Sequence, residues 1–160
     1  QLLNARPVEP VLFSQQLAFN LLAATETVAE DGYTATERQF VTDMQHVLNA
    51  PALSIDFTCV QAPVFFGDSV AVSVRCTEPV DKAAFVAQLH MLDGVELLEG
   101  NEWPTAVSDA VGQDGITVGR VRTGLQDAKQ ISFWLVADNV RYGTALNTVQ
   151  LAELLFNLHA

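Results

Sequence analysis

Two cysteines, three histidines and a few neighbouring carboxylates carry the side-chain types best suited to covalent or acid–base chemistry in this sequence. A reactive thiolate needs an electropositive, partly exposed setting. Cys59 and Cys76 instead fall at alternating positions of apolar runs, which predicts buried, inert thiols. His46, His90 and His159 lie far apart and lack partners at metal-ligand spacings such as HxxxH or CxxC, so no metal site is expected. His90, among Leu89, Met91 and Leu92, reads as a solvated or core-edge histidine, and His159 lies at the chain end. Asp43 and His46, three apart on a predicted helix, can act as an acid and base pair, although a solvated helix face is the simpler reading. Asp68 follows Gly67 in the connection APVFFGDS and reads either as a base or as a turn aspartate bonding its own backbone. GxGxxG and P-loop motifs are absent, so no complete nucleotide site can be assembled from motifs.

These residues are organised around Ser54–Thr77. Val70, Val72, Val74 and Cys76 alternate with Ser69, Ala71, Ser73, Arg75 and Thr77, the period-2 pattern of a half-buried strand. Ile55, Phe57 and Cys59 alternate in the same way with Asp56 and Thr58 until Pro63, which cannot donate to a ladder. The connection between the two runs is where a site is expected. Upstream, QLLNA is a fragment of helix pattern stopped by Arg6-Pro7, and residues 8–10 form a loop. The run from Val11 to Ala23 is ambiguous by periodicity and is read as strand from Leu17 to Leu22. After the turn signal Asp31-Gly32, Thr34 and Glu37 form a capping box that starts a helix at Ala35, with Phe40, Met44, Val47 and Leu48 as its buried stripe.

Downstream, Asp81 N-caps a helix to Met91 that stops at Asp93-Gly94. Strands follow at Val95–Glu99, Ile116–Arg122 and Ile131–Asp138, the last apolar on both faces and therefore central in its sheet. The segment between Glu99 and Ile116 reads as loop, as does Asn139–Gly143. A helix from Thr144 to about Leu158 presents Leu146, Val149, Leu151, Leu154, Leu155 and Leu158, a stripe wide enough to pack on two surfaces.

At 160 residues the chain is long enough for one domain with its own core. A net charge of −11, with only eight Lys and Arg, argues against nucleic acid or an anionic membrane as partner. No secretory or membrane-spanning run is evident, and reduced thiols suit a cytoplasmic protein. The start without methionine and the 49% hydrophobic composition suggest a piece of a larger, oligomeric protein.

The runs LLNARPVEPVLFSQQLAFN, FTCVQAPVFFGDSVAVSV, VGRVR and FWLVADNVRYGTALNTVQLAELL together resemble the C-terminal domain of the aspartate-semialdehyde dehydrogenase family across nearly the whole chain. The resemblance implies an α+β fold over residues 1–160. A mixed, mainly antiparallel sheet would carry helices on one face, as in the C-terminal domains of glyceraldehyde-3-phosphate and aspartate-semialdehyde dehydrogenases. It also implies a homodimer and a separate N-terminal domain that holds NADP and the catalytic cysteine. Neither Cys59 nor Cys76 matches that nucleophile.

The departures from the family's pattern concern its chemistry. Gln61 stands where the family has a substrate-gripping arginine, and Asp68 where it has the histidine acid–base. Asp43 aligns with the glutamate that takes the substrate amino group, and His46 with a phosphate-binding lysine. A glutamine cannot make arginine's bidentate charged pair, a loss of about 1.5–3 kcal/mol of binding. Losing general acid–base catalysis typically costs about 10² to 10⁴ in rate. The pattern near the nicotinamide, Asp138, Asn139, Gly143 and Asn147, is largely kept, so an intact parent can still hold NADP although this piece alone holds no cofactor.

This combination resembles the non-catalytic Usg-type paralogues found in bacteria. The expected role is a dimerisation domain with an altered, inactive half-site. The alternatives are a working NAD(P)-dependent semialdehyde dehydrogenase of amino-acid biosynthesis with a rewired site, and a regulatory partner of the true dehydrogenase.

Overall fold

A computed structural model of the chain describes residues 15–24 and 26–158. The expectations for QLLNA, for residues 8–10, for the start of the Val11–Ala23 run and for His159 lie outside them. The chain divides into two compact units, residues 1–63 and 64–160.

In the first unit, helix α1 spans Ala35–Val47 and begins at the expected capping box. Thr34 Oγ1 accepts the Glu37 N–H at 3.2 Å, and Glu37 Oε2 accepts the Thr34 N–H at 2.8 Å. The helix stops where Asn49 adopts a left-handed φ of 49°, a C-terminal role that asparagine fills well, two residues before Pro51. An extended segment, residues 54–61, returns along the helix, and the Phe40 and Phe57 rings stack at 3.9 Å between centroids. Ile55, Phe57 and Cys59 are half-buried and Asp56, Thr58 and Val60 exposed, so the period-2 reading of this run holds for burial.

The pairing differs from expectation. The run makes no strand ladder, only a single antiparallel bridge between Gln61 and Leu22, closed by bonds of 2.9 and 3.0 Å. Leu17–Leu22 is likewise not a strand. Phe19 takes a φ of 57°, Gln16 Nε2 donates to Ala18 O, and Asn20 Nδ2 donates to Gln16 O, so two side-chain amides hold the backbone in a turn that competes with extension. The α1 stripe is also less buried than expected, because Val47 and Leu48 are exposed beyond the part of the helix that Phe57 covers.

The second unit is a four-stranded sheet in the order β1-β4-β3-β2, with β1 Asp68–Arg75, β2 Val95–Leu97, β3 Ile116–Thr123 and β4 Gln130–Ala137. β4 runs antiparallel to both β1 and β3, and β2 pairs parallel with β3, giving the mixed α+β fold. The doubly apolar run is central as its pattern demands, with Ile131 and Val136 almost fully buried. Helix α2, Lys82–Leu89, is capped by Asp81 and packs Phe85 on Phe133 at 5.8 Å. Cys76 is exposed rather than buried. It lies past the end of the β1 ladder and keeps only its N–H bond to Lys129 O.

On the face opposite Phe133 lie Trp134 and, paired with it, Gly119 and Ala71. Trp134 Nε1 donates to Pro104 O at 2.9 Å, and the proline ring sits so close that a Cβ on Gly119 would lie 2.4 Å from its Cδ. The loop expected between Glu99 and Ile116 contains a π-helical turn, Ala106–Ala110, capped by Thr105. A second π-helical segment, Arg141–Leu146, leads into helix α3, Asn147–Leu158. Most of the expected α3 stripe is exposed, with Val149, Leu151, Leu154 and Leu155 each more than half accessible.

Each unit is closed by a buried carboxylate. Glu37 uses its second oxygen to accept the Cys59 N–H at 2.8 Å, tying α1 to the returning segment. Asp138, at the end of β4, accepts from Val140 N–H at 2.9 Å, Arg141 N–H at 2.7 Å and Gly112 N–H at 2.8 Å. These donors favour the charged form and hold both carboxyls below the usual range, led by Thr34 N–H then Cys59 N–H for Glu37, and by Arg141 N–H then Gly112 N–H for Asp138.

Two predictions follow from this packing. Gly119→Ala should cost about 1–3 kcal/mol in urea unfolding, because the proline ring cannot retreat like a flexible side chain. The second concerns acid. A group whose folded pKa is depressed contributes stability above its unfolded value, near pH 4 for carboxylates, and that stability is lost as pH falls through the folded value. The melting temperature should therefore hold steady near neutrality and fall in acid. Glu37→Gln and Asp138→Asn each put an N–H against an N–H, and should lower it at pH 7 while making the acid limb shallower.

Candidate functional site

The expected site residues divide between the two units. On α1, Asp43 and His46 are both exposed. The Asp43 carboxylate accepts a bond from Gln39 Nε2 at 2.7 Å, one helical turn back, and no bond links it to His46. The acid and base pair is therefore not assembled, and the solvated-face reading describes these residues. Gln61 is half-buried, with its backbone in the bridge to Leu22 and its side-chain Nε2 donating to Ala62 O at 3.1 Å. In this conformation its amide serves the neighbouring backbone.

Asp68 opens β1 opposite Ala137 and is exposed. The backbone just before it is held in three ways. Gly67 adopts a φ of 86°, and a Cβ there would approach Ala106 Cβ to 2.9 Å and Ala137 O to 3.4 Å, so only glycine fits. Its N–H donates to Asn139 Oδ1 at 3.0 Å. Position 68 is then fixed as the first rung of the β1–β4 ladder. The turn-aspartate reading of Asp68 gains no support, since its carboxylate takes no bond to nearby backbone in the structure.

Asn139 is itself held from both sides. Asp138 anchors the preceding corner, the Tyr142 and Gly143 N–H groups return to Asp138 O at 3.1 and 3.0 Å, and Thr144 Oγ1 donates to Asn139 O at 3.0 Å. Gly143 thus spends its N–H inside the fold, while Asn147 is exposed at the start of α3. At the rim, Arg141 forms a two-pronged ion pair with Asp114, which lowers the Asp114 pKa and raises that of Arg141.

Cys59 is half-buried and Cys76 exposed. His90 is exposed and meets Glu99 Oε1 at 3.1 Å. Among the described residues no group of three or more His, Cys, Asp or Glu is placed to hold a metal ion, and no helix is long and apolar enough to cross a membrane. The residues that sequence reasoning passed over are Glu37, read only as a cap, and the Asn139–Gly67 latch. The capping box pointed to Glu37, but nothing local signals a partner 22 or 72 positions away.

A family model described as semialdehyde dehydrogenase, dimerisation domain, matches residues 1–142. The chain is 50% identical over 155 residues to the USG-1 protein homolog of Pseudomonas aeruginosa, covering 97% of this chain and 46% of that protein. With aspartate-semialdehyde dehydrogenase 2 of Vibrio cholerae the identity is 43% over 155 residues, at 97% and 46% coverage. A solved structure of a probable aspartate-semialdehyde dehydrogenase from Pseudomonas aeruginosa superposes with a TM-score of 0.94 at 48% identity, over 99% of this chain and 48% of that one. Aspartate semialdehyde dehydrogenase II from Vibrio cholerae, solved in complex with ASA, gives a TM-score of 0.91 at 43% identity, over 98% and 46% of the two chains. The chain spans just under half the length of these relatives. With the family model covering most of its residues and the sheet matching those structures throughout, the chain belongs to the semialdehyde dehydrogenase dimerisation-domain family.

Proposed function

We propose that this chain is the dimerisation and substrate-side half of an aspartate-semialdehyde dehydrogenase-like protein whose site no longer supports the dehydrogenase reaction. The observation that carries this reading is position 68. Its backbone is held by Gly67 and the β1–β4 ladder, yet it presents an aspartate where the resemblance implies a histidine acid–base. Gln61 adds to it, because a neutral amide bonded to the Ala62 carbonyl offers a substrate carboxylate no charged fork.

In the intact protein an N-terminal half would bring NADP, whose chemistry is hydride transfer. On this chain the exposed amides of Asn139 and Asn147 are donors of the kind that suits the neutral nicotinamide end, and Gly143, with its N–H already used, adds none. The cytoplasm is the expected compartment. The apolar face of α3 is expected to pack on that N-terminal half, and a second copy of the protein is expected on the sheet. The face that carries Phe133 is covered by α2, whereas Ala71, Ser73, Arg75 and Arg122 on the other face are exposed. There Ser73 and Ser132 share a hydroxyl bond of 3.0 Å, and Gln130 Nε2 donates to Ser73 Oγ at 2.6 Å. Polar ladders of this kind suit a wet, hydrogen-bonded interface.

A second reading, a working enzyme with a rewired site, draws on the similarity to proteins named as dehydrogenases. Phosphate-dependent NADP reduction with aspartate semialdehyde, assayed on the full-length protein, separates the two. The natural sequence should show no turnover above background, and Gln61→Arg with Asp68→His should restore it. Turnover of about 1 per second or more by the natural protein would overturn the inactive reading. Light scattering should give the mass of a dimer, and Ala71→Arg, which drives a long charge into the exposed sheet face, should shift it toward monomer. A dimer untouched by that change would place the interface elsewhere.

A further inference from the structure

The Gly67–Asp68 tip is anchored by a residue 72 positions away, and this contact carries an assignment of its own. We infer that Asn139 is the positioning residue for position 68: its side-chain oxygen holds the Gly67 N–H and so fixes the direction in which the side chain at position 68 leaves the sheet.

The geometry determines which end of the Asn139 amide does this. A backbone N–H can only donate, so the atom facing Gly67 at 3.0 Å is the oxygen, and the Nδ2 donor points away. Gly67 cannot choose its own conformation freely. Glycine visits both halves of φ space at little cost, and a φ of 86° persists only if something selects it. Ala106, buried at the head of the first π-helical turn, leaves no room for a Cβ at position 67, and the Asn139 oxygen captures the Gly67 N–H. Asn139 is in turn immobilised by its neighbour, because the Asp138 carboxylate takes three backbone N–H donors and its carbonyl takes two more. The chain of restraint therefore runs from the buried Asp138 through Asn139 and Gly67 to position 68. Positioning of this kind matters to any proton transfer there, since a displacement of about 1 Å can cost about 10²-fold in rate.

The functional half of this inference rests on the reading of position 68 as the former acid–base position, and the experiment keeps the two apart. Amide exchange by NMR on the natural full-length protein reads the latch alone. Asn139→Ala should speed Gly67 N–H exchange by about tenfold, the loss of one ordinary hydrogen bond, while Asn139→Asp, which keeps an acceptor, should leave it protected. Unchanged exchange in Asn139→Ala overturns the assignment.

Kinetics of the Gln61→Arg, Asp68→His protein then read its use. Adding Asn139→Ala should lower kcat by about 10- to 100-fold and flatten the limb of the pH profile that reports the acid–base group. Asn139→Asp should recover most of that loss, even if KM for NADP rises in both variants. If Asn139→Asp is as damaged in kcat as Asn139→Ala, the amide nitrogen is what matters and the positioning role is wrong. If the doubly reverted protein has no activity at all, the account of lost catalysis fails, whereas the exchange measurement still decides whether Asn139 holds the tip.

Discussion

A single carboxylate, Asp138, sets the geometry of one end of the sheet. It is buried at the point where β4 leaves the ladder, and its oxygens gather N–H groups from the corner that follows and from the loop after the first π-helical turn. Without an acceptor there, three part-buried backbone donors would lose the partner that draws the corner and the loop together, and folded proteins keep such groups paired. Everything near position 68 inherits its placement from this corner: Asn139 because it is the next residue, Gly67 because Asn139 bonds it, and the first rung of β1 because Gly67 turns the chain into it. Glu37 plays the matching part in the first unit, where one side chain both caps α1 and ties down the segment that ends in Gln61.

Much of this fold could be read from local pattern. ISFWLVA is apolar on both faces, and a strand flanked by β1 and β3 is where such a run must lie. The T-x-x-E capping box and Asp81 marked two helix starts correctly, since a cap depends only on the next few residues. Where local pattern failed, a competing local bond or an edge was responsible. Leu17–Leu22 has strand-like residues, but Gln16 and Asn20 satisfy the backbone through their side chains. Cys76 continues the alternation of β1, but β1 is an edge strand whose inner face opens toward its end: Val70 and Val72 are half-buried, Val74 is already exposed, and the ladder ends at Arg75.

The candidate site residues are legible in a different sense. Gln61 and Asp68 stand out because a motif resemblance gives their positions meaning, not because of any periodicity in the residues themselves. Asp43 and His46 looked like a pair on spacing alone, and Gln39 proved the better placed partner for Asp43 because four residues is also one helical turn. The contacts within each unit that hold these positions, Glu37 to Cys59 in the first and Asn139 to Gly67 in the second, join segments brought together only by folding. No window of sequence shows them.

The residues that would carry chemistry and those that carry the fold are different residues. Among the described residues the Asp68 carboxylate takes no bond, Asp43 meets only Gln39 and the Gln61 amide only its neighbour, so each can change type with little effect on the packing there. Gly67, Asn139, Glu37 and Asp138 have no such freedom, because each bonds or makes room for backbone that the fold brings together. A scaffold divided in this way can change its chemistry by substitution at positions with few partners while its sheet and its corner stay intact. Function then tracks the first set and stability the second. High structural similarity to proteins named as dehydrogenases is therefore weak evidence for activity here, since the TM-score reports the backbone that the second set preserves. The side chain at position 68 contributes nothing to that score, although the backbone beneath it is held by the Gly67 turn, the Asn139 bond and the first rung of the β1–β4 ladder.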